Sequence, residues 1–396
     1  MKIRQICMVV LFGLGVIPAM QAQTFDKLWK EVEQAEKKSL PKTVIKLTDE
    51  IYQKGEKERN SAQMLKAYMW RMKTQDILTP DSFYVGLRDL EQWAKQTEQP
   101  MDRAILHSLI AEFYANYAAD NQWQLRQRTE IVGETPSADI REWTANMFVE
   151  KVRTNVKEAL ADSLLLLKTS SRNYIPFVEL GETSEYYHHD MYHLLASRAI
   201  RALNQIERLE RGSFNGITVS PVKQDIINIY ERMADAYETV GLKEGYVLTM
   251  LQYLEWERGN DNKLQPVQLR KGLGEWTADT YNAALDELKR QFKSEPICAE
   301  VYLAQARYAV EKMQQVNALQ LCDEAIRLYP GYRRINALKN LREEILAPFL
   351  NVSAVSQAFP NEEIKLNVGH KNLDGFTVRL YQAKKLVKEQ HYSVLR

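Results

Sequence analysis

The sequence predicts a mainly α-helical protein, an array of helical hairpins (an α-solenoid) followed by a partial antiparallel β-sandwich at the C-terminus. Three observations carry this prediction. From Thr24 to Leu346, apolar residues recur every third or fourth position. After Ala347-Pro348 they recur every second position. The 16 Gly and 12 Pro in 396 residues are also too few for the dense turns of an all-β chain. Length alone suggests two or three domains of about 150 residues. A hydrophobic fraction of 45% supports packed cores rather than disorder. Lys+Arg 53 against Asp+Glu 52 leaves a net charge of +1, which gives no field for nucleic acid. Three Cys exclude a disulfide scaffold and a four-Cys zinc site.

Residues 1–22 read as an export signal. Lys2 and Arg4 form a positive start, Ile6 to Ile17 an apolar run, and Pro18 a break. Ala22 offers a small residue before Gln23, although Met20 is large for the −3 position. The apolar run is too short to anchor in a bilayer. Cys7 precedes most of the apolar core, so it is not a lipid-bearing first residue. The expected location is the periplasm or cell envelope, with no transmembrane anchor after cleavage. The expected domains are 23–211 and 212–346, both helical, and 347–396, the incomplete sandwich.

Phe25, Leu28, Trp29 and Val32 form the first helical stripe, which ends at Ser39-Leu40-Pro41. Val44, Leu47 and Ile51 form a second. A third helix covers Ser61 to Thr74, Asp81 caps a fourth and Pro100 opens a fifth. Val132 to Ser137 is a loop. Asp139 to Leu167 reads as one long amphipathic segment, Asn173 to Ser184 as irregular around Pro176, and Glu185 to Leu209 as helix. Gly212 to Pro221 is the best internal break. Val222 to Thr239 and Leu242 to Glu257 form a pair split by Gly241. Gly259 to Pro266 is a polar loop, and Leu269 to Phe292 continues the series.

One unit is more specific. In Glu300 to Arg333, Tyr302, Ala306, Ala318, Ala325 and Pro330 fall at tetratricopeptide-like positions. The three Ala let two helices approach closely, while Gln305 and Ala309 stand where larger apolar residues are usual. Cys298 begins the first helix and Cys322 lies inside its antiparallel partner. At 1.5 Å per residue they sit roughly 15 Å apart along the axis, beyond the ~7 Å Cα spacing of a disulfide. Two buried free thiols are expected.

Phe349 to Val355 reads as a strand. Ile364, Leu366 and Val368 alternate with polar residues. Asp374-Gly375 marks a turn before Phe376, Val378 and Leu380. These are the first three strands of a sandwich, about 45 residues where such a domain takes about 100. Lys384, Lys385 and Lys388 read as a solvated strand end.

Half of the six His lie in His188-His189-Asp190-Met191-Tyr192-His193. His189 and His193, four apart, share a face if helical, a spacing that suits a metal. No H-e-x-x-H arrangement and no third ligand accompany them, so packing histidines at a helix start are the preferred reading. With 20 Tyr and 7 Trp, a sugar-binding face is conceivable. Trp29, Trp93, Trp143 and Tyr302 fall on helical stripes, however, which favours core packing. No nucleophile elbow, phosphate loop or dinucleotide fingerprint is present. The expectation is a protein without catalytic residues, resident metal or cofactor.

Several stretches resemble the N-terminal helical region of the bacterial alpha-2-macroglobulin-like proteins of Bacteroidetes. They are Tyr117-Ala118-Ala119-Asp120-Asn121-Gln122-Trp123 with Arg126 and Arg128-Thr129-Glu130; Asp139-Ile140-Arg141-Glu142-Trp143; and Tyr192 to Ala199 (YHLLASRA). The resemblance implies that the strands from Phe349 to Tyr381 belong to a macroglobulin-type β-sandwich. It also implies membership in a protease-trapping, endopeptidase-inhibitor family. Many such members capture proteases through a Cys-Gly-Glu-Gln thioester. Cys298-Ala299-Glu300-Val301 and Cys322-Asp323-Glu324-Ala325 lack the Gln that supplies the acyl carbon, so no thioester forms here. The implied role is an exported scaffold for protein partners, proteases or envelope proteins, without inhibitory activity of its own. The alternative is a carbohydrate-binding helical protein of the starch-utilisation type.

Overall fold

A computed structural model describes residues 17–79, 82–129, 137–210, 220–259, 278–354, 365–382 and 384–393. The described chain is mainly helical, with antiparallel strand pairs at its C-terminal end. It divides into two compact units inside one helix, the first through Tyr253 and the second from Leu254.

The first unit begins with α1 (Ile17–Lys37), α2 (Pro41–Lys57) and α3 (Ser61–Leu78). The expected signal boundary at Ala22 falls within α1. The predicted stripe is buried: Phe25, Trp29 and Val32 pack with Val44 and Ile51 of α2 and Ala67 of α3. Pro41 starts α2, where its missing N–H costs no helical bond. Asn60 caps α3 by accepting from Gln63 N–H at 3.2 Å. Then come α4 (Ser82–Gln96), α5 (Pro100–Asp120) and the short α6 (Gln122–Gln127). Asp81, the expected cap of α4, lies outside the described residues, as do most of the loops expected at 132–137, 212–221 and 259–266.

The long helix expected over Asp139 to Leu167 is divided. A 3-10 turn, Ile140–Glu142, precedes α7 (Ala145–Ala159), and α8 (Ser163–Lys168) starts afresh. The break is chemical: the Asp162 side chain accepts from Leu165 N–H at 2.9 Å and nucleates the new helix. The apolar stripe survives the break, with Ile140, Trp143, Phe148, Val152 and Val156 all buried. The helix expected from Glu185 is corrected in the same way. Glu182–Tyr187 is a 3-10 turn, and α9 spans Met191–Glu207 with Asp190 as its cap. Next, α10 covers Pro221–Thr239 and α11 Lys243–Gly259, with Gly241 between them at a φ of +72°. Because α10 packs on α9, the division into units comes at 253–254 and not at the 211–212 boundary drawn from sequence.

The second unit contains α12 (Ala278–Phe292), α13 (Cys298–Glu311), α14 (Gln315–Leu328) and α15 (Ile335–Leu346). Ala306, Ala318 and Ala325 are completely buried between α13 and α14, as the repeat pattern predicts. The irregular Gln305 is buried with its amide satisfied. It accepts from Lys289 Nζ at 2.9 Å and donates to Asp286 Oδ1 at 2.8 Å, both on α12. Cys298 and Cys322 are buried free thiols.

Four strands follow among the described residues, one more than predicted: β1 (Phe349–Ala354), β2 (Leu366–Lys371), β3 (Gly375–Gln382) and β4 (Lys385–Ser393). They form two separate antiparallel pairs, β1 with β2 and β3 with β4. The expected solvated strand end at Lys385 and Lys388 is part of β4. Its described side chains are exposed throughout, so the sequence lacks the one-sided pattern that marks a half-buried strand. At Gly375 an added Cβ meets the Tyr392 carbonyl at 2.6 Å, so the close pairing of β3 with β4 requires glycine.

Candidate functional site

The histidine cluster is organised by Asp190. Its Oδ1 accepts from His193 N–H at 2.7 Å, which fixes the first turn of α9. The chain before it turns sharply, with His188 and His189 at φ values of 51° and 55°. His189 therefore stands outside the helix, and the shared helix face expected for His189 and His193 does not form. His189 instead contacts Arg172 through Nε2 at 2.7 Å and Ser184 Oγ through Nδ1 at 3.1 Å. His193 stacks flat on Tyr187, with ring centroids 3.7 Å apart. Burial pushes its imidazole down to about 4. Among the described residues, no group of three or more His, Cys, Asp or Glu is gathered to hold a metal ion.

Asp190 is itself buried at 6% exposure. Burial pushes its carboxyl up to about 6, against hydrogen bonds that favour the charged form. One of these comes from Tyr237 of α10, whose hydroxyl lies 3.2 Å from both carboxylate oxygens. Burial first, and then the Asp190 charge, raise the Tyr237 hydroxyl far above its ordinary range. This constellation ties α9 to α10 and is closed to solvent, so its chemistry is structural.

A different place in the first unit is open. A cleft of about 550 Å³ lies between α3, α5, α9 and the segment 176–179. Ile105 and Leu109 of α5 and Met191 and Leu195 of α9 form its buried apolar base. Trp70, Phe113 and Phe177 add aromatic walls. Arg198 of α9 and Glu112 of α5 form an ion pair across it. Burial lowers the Arg198 pKa, opposed by the Glu112 charge and hydrogen bond.

Three polar groups in the cleft are unsatisfied or charged without an ion partner. The hydroxyl of Ser108, a residue only 4% exposed, makes no hydrogen bond to another described residue, and neither does Trp70 Nε1. Lys66 lies over the rings of Trp29 and Trp70, with Nζ 4.3 Å and 5.7 Å from their centroids. It forms no ion pair with another described residue. Burial lowers the Lys66 pKa, partly offset by the charges of Glu33, Glu179 and Asp26. The volume falls in the range of roughly 300–1,000 Å³ typical of small-molecule sites. Sequence reading gives no direct sign of this cleft, whose walls come from segments more than a hundred residues apart. The one trace is Ser108 and Glu112, two polar residues interrupting the stripe of Ile105 and Leu109.

The second unit offers a surface. Phe349, Leu350 and Val352 of β1, Leu366 of β2, and Leu386 and Val387 of β4 are all exposed, at 44–56%. Single exposed apolar residues are ordinary, but a concentration on short strand pairs with open edges is characteristic of interaction sites. The thiols of this unit are chemically quiet. Burial raises the Cys298 pKa and pushes Cys322 up to about 11.

No family model matches the chain, and a search of the curated proteins finds no significant match. Among the described residues, no helix is long and apolar enough to cross a membrane.

Proposed function

We propose that the chain is a non-catalytic protein-binding scaffold, exported to the periplasm or cell envelope, and part of an alpha-2-macroglobulin-like protease-surveillance system. In this reading the helices form a tetratricopeptide-like solenoid, and the strands belong to a macroglobulin-type sandwich that meets its partner by strand addition. The observation that carries it is the contrast within the second unit. Its helices bury their Ala seam, whereas its strands present Phe349, Val352, Leu386 and Val387 to solvent. Strand addition satisfies open edges by main-chain hydrogen bonds and covers such side chains.

The glycan-binding alternative calls for an exposed aromatic platform. Among the described residues the exposed aromatics are Trp123 in the first unit and Phe349, Tyr381 and Tyr392 on the strands of the second, and Trp123 is the one exposed Trp. The test is affinity capture of envelope proteins on the purified chain, followed by titration calorimetry with each purified candidate. The proposal expects a protein partner whose binding is lost in a Val352→Lys, Val387→Lys double variant. Saturable binding of oligosaccharides, with no protein affected by that variant, would contradict it.

A further inference from the structure

The cleft of the first unit carries an inference independent of the scaffold role. Its base is apolar, and the hydroxyl of Ser108 sits there buried and without a hydrogen bond. An unsatisfied buried polar group destabilises the free protein. Its presence beside Ile105, Leu109 and Leu195 is explained if something else supplies the partner. The same holds for Trp70 Nε1, a donor with no acceptor among the described residues. Beside it, Lys66 is drawn onto two indole rings with no carboxylate paired to it among the described residues. The other cation of the cleft, Arg198, is neutralised by Glu112. Glu33, Glu179 and Asp26 also act on Lys66 by their charge, but none forms an ion pair with it, and all three are exposed and therefore screened by solvent.

The unmatched chemistry is thus two hydrogen-bond donors and one positive charge above an apolar base. We propose that this cleft binds an amphipathic carboxylate, a molecule with an apolar body seated on α5 and α9 and an anionic head received by Lys66, Trp70 Nε1 and Ser108. A carboxylate supplies acceptors for all three groups. An ammonium amphiphile brings a second cation to Lys66 and no acceptor. A neutral glycoside fills the apolar space but leaves the Lys66 charge unmatched. The 550 Å³ volume admits a medium-length acyl chain or a fused aromatic acid.

The test uses the full chain and three probes below their micellar concentrations: dodecanoate, octyl glucoside and dodecyltrimethylammonium. Binding is read by titration calorimetry and by the change in fluorescence that Trp70, the tryptophan lining the cleft, contributes. The expected result is saturable dodecanoate binding at one site per chain, about tenfold or more tighter than either other probe. Lys66→Gln reduces dodecanoate affinity about tenfold and leaves octyl glucoside binding unchanged. Ser108→Ala weakens dodecanoate binding without lowering the melting temperature, because the hydroxyl makes no bond in the free protein. A purely structural Ser108 predicts no change in affinity. Equal affinity for the three probes, absence of saturable dodecanoate binding, or an undiminished affinity in a folded Lys66→Gln variant overturns the proposal.

Discussion

The helices around α5 and α9 and the strand pairs β1–β2 and β3–β4 use apolar residues in opposite ways. In the helices, Leu106, Phe148, Ala196 and Leu203 are completely buried. In the strands, Phe349, Val352 and Val387 are more than half exposed. Periodicity is clear in the helices and in β1 to β3. What differs is the presence of a second layer. A helical stripe finds its partner in the next helix of the same chain, whereas a two-stranded ribbon has no described layer to cover it. A strong pattern in sequence thus establishes the local structure and not whether the apolar face is covered.

The most forceful way to break this comparison is to truncate one residue of each kind. Phe148→Ala removes a fully buried ring and is expected to lower unfolding free energy by ~3–5 kcal/mol. Val387→Ala, on an exposed strand, changes it by no more than about 0.5 kcal/mol. Urea denaturation followed by far-ultraviolet circular dichroism reads both. Comparable losses would mean that the strands are buried as deeply as the helices.

The pH dependence of the α9 cap sharpens the helical side. The Asp190 pKa is raised from 3.8 to about 6, so its contribution to stability is complete below 3.8 and is lost as pH rises through 6. The His193 pKa is lowered from 6.5 to about 4, so its contribution is present above 6.5 and is lost as pH falls through 4. Each corresponds to about 3 kcal/mol, and the two slopes oppose one another between pH 4 and 6. In Asp190→Asn, which keeps a capping oxygen, the stability profile is expected to rise from pH 4 to 6.5. In His193→Gln it is expected to fall over pH 4 to 6. Parallel profiles in the two variants would contradict the assigned burial.

Filling the seam between α13 and α14 tests the second unit. Ala306→Leu forces a larger side chain between helices in contact and is expected to cost ~1–3 kcal/mol in thermal or urea unfolding. The smallest effect on stability is expected from Val352→Lys with Val387→Lys. That variant melts with the parent protein but shows less concentration-dependent light scattering, since charged edges resist edge-to-edge pairing.

Legibility followed the same division. The first stripe, the Ala seam and the onset of strands at Phe349 are all readable, because each depends on residues close in sequence. The sequence places the start of α9 too early, at Glu185, since Tyr186 and Tyr187 continue the apolar rhythm and only the cap at Asp190 stops it. Strand β4 was missed because Lys385 to Ser393, exposed on both faces, has no reason to alternate. The cleft was not legible at all. Lys66, Ser108 and Leu195 meet only through packing of α3, α5 and α9, and no local spacing encodes that meeting.

The account depends most on the claim that the helices are stable by themselves while the strands await cover. Hydrogen exchange of backbone amides in the purified chain, followed by mass spectrometry, tests it directly. Amides of α5, α7 and α9 are expected to exchange only through global unfolding, and those of β1–β4 faster by several orders of magnitude, becoming protected when the captured partner is added. Strand amides as slow as those of α5 in the chain alone, with no change on adding the partner, would contradict it.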